Sequence, residues 1–329
     1  MYLCHQRAIY SSFVVQNMST PLVSIITVNY DTPEVTAEML KSLSLVEYPN
    51  WEIIVVDNAS PKKSSAYLKQ KFPFITHISC PENLGFAGGN NIGLHFAKGE
   101  YLFFVNNDTE LTPNLISELV KYLQKNPQCG IVCPKIKYHF MPDIIQYAGA
   151  IGLHPLTSRS HDIGYLQQDN GKFDDTRITD LPNGAAMMIP ASALKKTGKM
   201  SEIFFLYYEE LDWAAKFKKC GYEVHYDGKA VIYHKESVST GKNSAFKSYY
   251  LYRNRLLYIR RNYLGFRWFI ASSFFVFISS PVHILKHFFK NENAHTKAIW
   301  NALIWNISNS ATQEPNNHSS KLLSELKID

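Results

Sequence analysis

From Pro21 onward, short runs of continuously apolar, β-branched residues alternate with helix-length stretches, which restricts the chain to a sheet covered by helices on both faces. Residues 22–28 (LVSIITV) and 52–56 (EIIVV) lack the in–out alternation of a half-exposed strand, as parallel strands covered on both faces do. Between them Thr32 and Pro33 open a helix running to about residue 45, with Thr32 as N-cap and Pro33 at the first helical position. The alternation continues as a helix over 62–71, a strand over 75–79, a helix over 87–97, a strand over 101–105 and a helix over 113–125. It loosens between Tyr138 and Asp180, where extended segments and loops would roof a site. It returns as a strand over 182–190, a helix to Cys220 closed by Gly221, and a strand over 230–233. The expected architecture is a doubly wound α/β sheet.

In such sheets ligands gather at the carboxyl ends of strands, near a switch in strand order. Polar residues cluster there: Asn29-Tyr30-Asp31, Asp57-Asn58-Ala59-Ser60 and Asn106-Asn107-Asp108. A carboxylate at Asp108 can hold Mg2+ or Mn2+ together with phosphate oxygens, although Asn-Asn-Asp-Thr is equally good turn chemistry. Glu209, Glu210 and Asp212 open a helix after the aromatic run 204–208. A helix dipole stabilises such anions in a solvated first turn, whereas burial under the aromatics would raise a carboxylate pKa into the range of a general base. His234 closes a strand; it is a core or surface histidine unless Asp108 lies beside it, when the two make a sensible Mn2+ pair. Residues 83–93 (NLGFAGGNNIG) lead from a strand into a helix as a phosphate-cradling loop would, but without the GxGxxG or GxxxxGK[ST] spacing, so a tight connection is the other reading.

Taken together and in order, these motifs resemble the family 2 glycosyltransferases, particularly their rhamnosyltransferase-like branch, over residues 21–234, nearly two thirds of the chain. The carrying stretches are SIITVNY at 24–30, IVVDNAS at 54–60, ENLGFAGGNNIG at 82–93, NND at 106–108, NGA at 183–185 and YEELD at 208–212. The resemblance implies the GT-A fold, a doubly wound mixed sheet. It implies that Asn29 and Asp57 line the nucleotide site, Asp57 accepting from the imide N–H of uracil or thymine, and that Asn83, Gly85 and Asn90 shape the pocket wall. Thr27, Asn58, Asn106, Asn107 and Gly184 fall at further donor-binding positions. Asp108 matches the last acid of the family's DxD motif, which holds a divalent metal on the donor diphosphate. Asn106 stands where the first Asp is usual, which gives weight to His234 as a second ligand. Glu210 falls at the catalytic base, as Glu where Asp is common, with Asp212 as the alternative. The implied activity is inverting transfer from a UDP- or dTDP-sugar, dTDP-rhamnose among the candidates, to a surface-glycan hydroxyl, with a glycan or lipid-linked glycan as acceptor. A sugar-phosphate nucleotidyltransferase and a non-catalytic nucleotide-sugar or glycan binder are the rival readings. The first would want an Arg- or Lys-bearing glycine loop after the first strand, where Asn29-Tyr30-Asp31-Thr32-Pro33 offers none.

Charge locates a further element. Nine of the 34 basic residues and none of the 28 acidic ones fall in residues 237–291. Residues 248–263 read as an amphipathic helix with Tyr249, Tyr252, Leu256, Ile259 and Tyr263 on one stripe, and 268–285 carry no charge over 18 residues. A spanning helix needs about 20 apolar residues. The expectation is therefore a peripheral protein on the cytoplasmic face of the cell membrane, its Arg and Lys meeting an anionic surface. The alternative is a helix pair packed on the catalytic domain or in a homodimer. No recognised motif marks the basic stretch for nucleic acid. The expected division is an N-terminal extension (1–20), a catalytic domain (21–240), the basic helical segment (241–290) and a tail (291–329), with Met18 as the expected true start. Five cysteines without CxxC or zinc spacing suggest reduced thiols, Cys129 and Cys133 being buried.

Overall fold

The computed structural model describes residues 20–61, 64–235 and 244–312; the Met18 start, nearly all of the extension and the end of the tail lie outside them. The first half is built from β1 (Val23–Asn29), α1 (Pro33–Ser42), β2 (Trp51–Asp57), α2 (Ser64–Lys71), β3 (Thr76–Ser79), α3 (Gly85–Phe96) and β4 (Tyr101–Val105). Its four strands are parallel in the spatial order β3-β2-β1-β4, so the chain winds one way from β1 and then returns to its other side. That reversal puts a switch point between β1 and β4. The apolar runs explain the arrangement: Ile25, Ile26, Ile53, Ile54, Val55 and Val56 are buried on both faces.

The second half adds β5 (Thr109–Leu111), α4 (Leu115–Lys125), β6 (Cys129–Tyr138), β7 (Met141–Tyr147), β8 (Ala150–Ile151), β9 (His161–Asp162), β10 (Thr176–Thr179), β11 (Ala186–Pro190), α5 (Leu194–Thr197), α6 (Glu209–Lys219) and β12 (Glu223–His234). β11 lies antiparallel between β4 and β6, β12 runs parallel to β6, and β10 closes that edge, completing a mixed ten-stranded sheet. This is the GT-A fold that the motifs imply. β12 begins seven residues before the strand that the sequence suggests, because Gly228 marks a close approach and not an end: a Cβ there would meet the Phe173 carbonyl oxygen at 2.1 Å. Cys80, Cys129 and Cys133 are buried free thiols.

Four helices complete the described chain: α7 (Ala245–Asn262), α8 (Gly265–Phe274), α9 (Ser280–Phe289) and α10 (Asn293–Ser308). α8 and α9 form one rod, Gly265–Phe289, joined by a π turn at Phe275–Ser279 beside Pro281, whose missing N–H breaks the regular ladder. α10 falls where the sequence suggests only a tail; Ala298, Ile299, Ala302, Leu303 and Asn306 are buried at helical spacing, a stripe diluted by its alanines and asparagine. Leu256, Leu257, Ile259, Ala271, Phe275 and Leu303 join Ile203, Phe204 and Tyr208 in a second hydrophobic cluster, so these helices share a core with the segment that leads into α6. The arginines of α7 are mostly turned inward. Arg253, Arg255, Arg260 and Arg261 all hydrogen-bond protein groups, where the sequence suggests that they face lipid, because carbonyls at 203–204 and 306–311 and the Tyr208 hydroxyl lie within reach of their guanidinium groups.

Candidate active site

The register Asn29↔Asp57↔Ser79 sets the ends of β1, β2 and β3 level, and a cavity of about 620 Å³ opens above them toward β4. Asn58, Asn83, Gly85, Asn106, Asn107, Asp108 and His234 line it. Asn29 and Asp57 are buried beside the lining residues Val28 and Asn58 and do not line it themselves. Asp57 Oδ1 accepts from the Ser60 backbone N–H at 3.2 Å, the Ser60 hydroxyl and Asn29 Nδ2 at 3.4 Å. Asn29 Oδ1 accepts from Thr36 Oγ1, and Asn107 Nδ2 donates to the hydroxyls of Thr36 and Thr32, each at 2.9 Å. Thr32 is thus a partner of Asn107 and not the side-chain cap of α1 that its position suggests. Asn58 holds the opposite wall, donating to Asn83 Oδ1 and the Gly85 carbonyl and accepting from the Leu84 N–H. Asn90 points back to the Phe86 carbonyl, and Thr27 is enclosed within the sheet, so these two shape the site without lining it.

Asp108 and His234 are far apart in the sequence and meet at 3.0 Å, both less than a tenth exposed. The route is the sheet: His234 pairs with Thr109 in the ladder between β12 and β5, and Lys235 N–H donates to the Asp108 carbonyl. His234 Nδ1 lies 2.8 Å from Gln146 Oε1, which orients the ring so that Nε2 faces Asp108 and the cavity. One carboxylate oxygen and one imidazole nitrogen on a cavity wall, with space for diphosphate oxygens, fit Mn2+ or Mg2+. Among the described residues no group of three or more such ligands occurs. Gln146 gave no sequence signal, lying in the loosened stretch after Tyr138.

Glu210 reaches the site through Gly184. Asn106 N–H donates to the Ala185 carbonyl at 2.9 Å, and beside it a Cβ at Gly184 would stand 3.7 Å from Glu210 Cγ and 3.9 Å from the cavity-lining Phe86 ring. Burial pushes the Glu210 carboxyl up to about 7, with the Asp162 charge adding to the effect against opposing backbone hydrogen bonds. Its Oε2 is buried without a hydrogen-bond partner, as is that of Glu209, which burial and Glu210 raise well above the usual range. Asp212, two residues on and so about 200° around the helix, faces elsewhere: it accepts from Arg261 at 3.1 Å and Asn262 at 2.8 Å and anchors α7. Tyr207, Phe246 and Lys247 also line the cavity, so the segment that reads as membrane-facing supplies part of its wall.

The mixed sheet opens its cavity at the β1–β4 switch point, where open α/β sheets bind their ligands. The model of glycosyl transferase family 2 matches residues 24–188, and the chain belongs to that family. It is 27% identical over 250 residues to the low-salt glycan biosynthesis hexosyltransferase Agl10 of Haloferax volcanii, covering 74% of this chain and 77% of that one. It is 21% identical over 248 residues to the N-acetylglucosaminyl-diphospho-decaprenol L-rhamnosyltransferase of Mycobacterium tuberculosis, covering 69% and 80%. Other relatives are longer, and the chain spans as little as 18% of the O-antigen biosynthesis protein RfbC of Myxococcus xanthus. Among solved structures, the mannosyltransferase PcManGT of Pyrobaculum calidifontis, in complex with GDP-Man and Mn2+, shares the fold with a TM-score of 0.55 at 15% identity, over 94% of this chain and 80% of that one.

Proposed function

We propose that the protein is an inverting glycosyltransferase that moves a sugar from a UDP- or dTDP-activated donor to a hydroxyl of a lipid-linked surface glycan. The observation that carries this reading is the meeting of Asp108 and His234 on one cavity, with the desolvated Glu210 beside Gly184, next to the cavity-lining Phe86. Asp57 and Asn29 would hold the base at the ends of β1 and β2. Asp108 and His234 would hold Mn2+ or Mg2+, which when bound neutralises charge growing on the departing diphosphate. Glu210 would take the proton from the acceptor hydroxyl as its oxygen attacks the anomeric carbon opposite the leaving group, a single displacement that inverts configuration. The rhamnosyltransferase among the relatives supports a lipid-linked acceptor and a deoxysugar donor. The test is thermal protection: dTDP-rhamnose or a UDP-sugar with Mn2+ should raise the melting temperature of the wild type and not of Asp108→Asn. Protection by none of a panel of UDP-, dTDP- and GDP-sugars would overturn the donor assignment.

Attachment to an anionic membrane surface belongs to the same reading. Gly265–Phe289 is long and apolar enough to cross a bilayer, with 17% of its apolar stretch buried. Phe266, Phe277 and Phe289 are each at least three-quarters exposed, with Arg267, Lys286 and Lys290 beside them. Its inner stripe packs on α7, which is itself fixed to the catalytic domain, and this supports a helix lying in the interface over one that crosses. Release from membranes by high salt or alkaline carbonate is expected; retention through carbonate would favour a span, and a protein never found on membranes would remove the surface.

A further inference from the structure

The turn that delivers Glu210 is strained. Phe205, Tyr207 and Tyr208 adopt φ of 63°, 68° and 74°, a region that costs a non-glycine residue about 1–3 kcal/mol each. Three such residues in four positions persist only if their surroundings dictate them. Two consecutive side chains of α7 do so. Asn254, fully buried, donates through one amide to the carbonyls of Phe204, Leu206 and Tyr207 at 2.8, 2.7 and 2.8 Å. Arg253 donates to the carbonyls of Ile203 and Phe204 at 2.6 Å each, and its Nε donates to Asn254 Oδ1 at 2.7 Å, which fixes the amide's orientation. The guanidinium is sandwiched between the rings of Tyr250 and Trp305, at 4.7 and 4.5 Å. From the other side the Phe205 carbonyl accepts from the Phe86 N–H at 2.6 Å, across the gap that Gly85 leaves.

We propose that Arg253 and Asn254 are positioning residues of the transfer reaction, holding the turn at residues 204–208 so that Glu210 stands desolvated beside Gly184. The inference rests on Glu210 as the base. A stable fold does not require such strain: a relaxed loop could bury Phe204 without three left-handed aromatic residues, so the strain points to a demand set by the start of α6, where Glu210 sits. The charged and titratable groups that face Glu210 include Asp162 from β9, its neighbour Glu209 and the buried Cys133 thiol of β6, while Arg253 acts on Glu209.

The test needs no substrate. Carbon-13 NMR of protein labelled at the glutamate carboxyl, with the Glu210 resonance identified by its absence from Glu210→Gln, reads the titration directly. In Arg253→Lys and Asn254→Ser, checked for folding by near-ultraviolet circular dichroism, the midpoint should fall from near 7 toward the ordinary glutamate value by about one pH unit or more. Tyr207→Gly, which accepts φ of 68° without strain and so leaves the turn less in need of holding, should bring the midpoint of Asn254→Ser part of the way back toward 7 when the two are combined. An unchanged midpoint in the folded variants would overturn the positioning role. Transfer activity retained in Glu210→Gln would instead overturn the base, independently of how the carboxyl titrates.

Discussion

At the scale of single residues, the chemistry turns on groups whose surroundings are more specific than their identities. Burial raises Glu210, so its ionisation opposes folding: stability should decline as pH climbs from the ordinary glutamate value through about 7. Glu210→Gln should then be more stable than wild type by about 1–3 kcal/mol above that range, while losing about 10²–10⁴ in turnover. Paired urea denaturation and rate measurements from pH 5 to 9 check both, with wild-type turnover falling on the acid side of about 7. Two glycines give opposite expectations. Gly85→Ala would set a Cβ 2.2 Å from the Phe205 carbonyl oxygen at φ of +70°, and should cost about 2–4 kcal/mol in chemical denaturation. Gly184→Ala meets only ordinary contacts and should change stability by less than about 0.5 kcal/mol. Asp108, Glu210 and His234 were legible as candidates because they sit at strand ends and a helix start. Gln146 was not, since one amide in an irregular stretch has no periodicity to betray it.

Elements explain how those residues are brought together. β12 carries His234 to the site along β6, which pairs with it from Glu223 to His234, while β10 borders its first half, a half concealed in the sequence by polar His225 and Asp227 and by Gly228. The parallel strands β1 to β4 were readable to within a residue or so because burial on both faces leaves an unbroken apolar run. Asp212 shows the limit of such reading: it lies in the same acidic turn as Glu210, but helical rotation aims it at α7. Asp212→Ala should therefore act on stability, costing about 3 kcal/mol by leaving Arg261 without its partly buried counterion, with turnover per folded molecule little changed. A loss of turnover at full stability would return Asp212 to the base's role.

For the molecule as a whole, the second hydrophobic cluster ties the C-terminal helices to the catalytic sheet. A chain ending at residue 235 should expose Phe204 and Ile203 and fail to give a cooperative fold, read by near-ultraviolet circular dichroism and size-exclusion chromatography. The segment's basic character was evident in the sequence, but not its direction: four arginines serve neighbouring carbonyls and hydroxyls, and Arg267 stacks at 4.0 Å over Tyr263. Charge counts cannot separate a cation facing lipid from one facing a carbonyl, since both uses favour the same side chains. The threefold grip of Asn254 on the aromatic turn also limits how this protein can be re-engineered. A chimera that exchanges its last helices for those of another transferase, in the hope of moving it to a new membrane, would loosen the seat of its own proton acceptor. Grafts should keep α7 together with the face of α10 that Trp305 presents to Arg253.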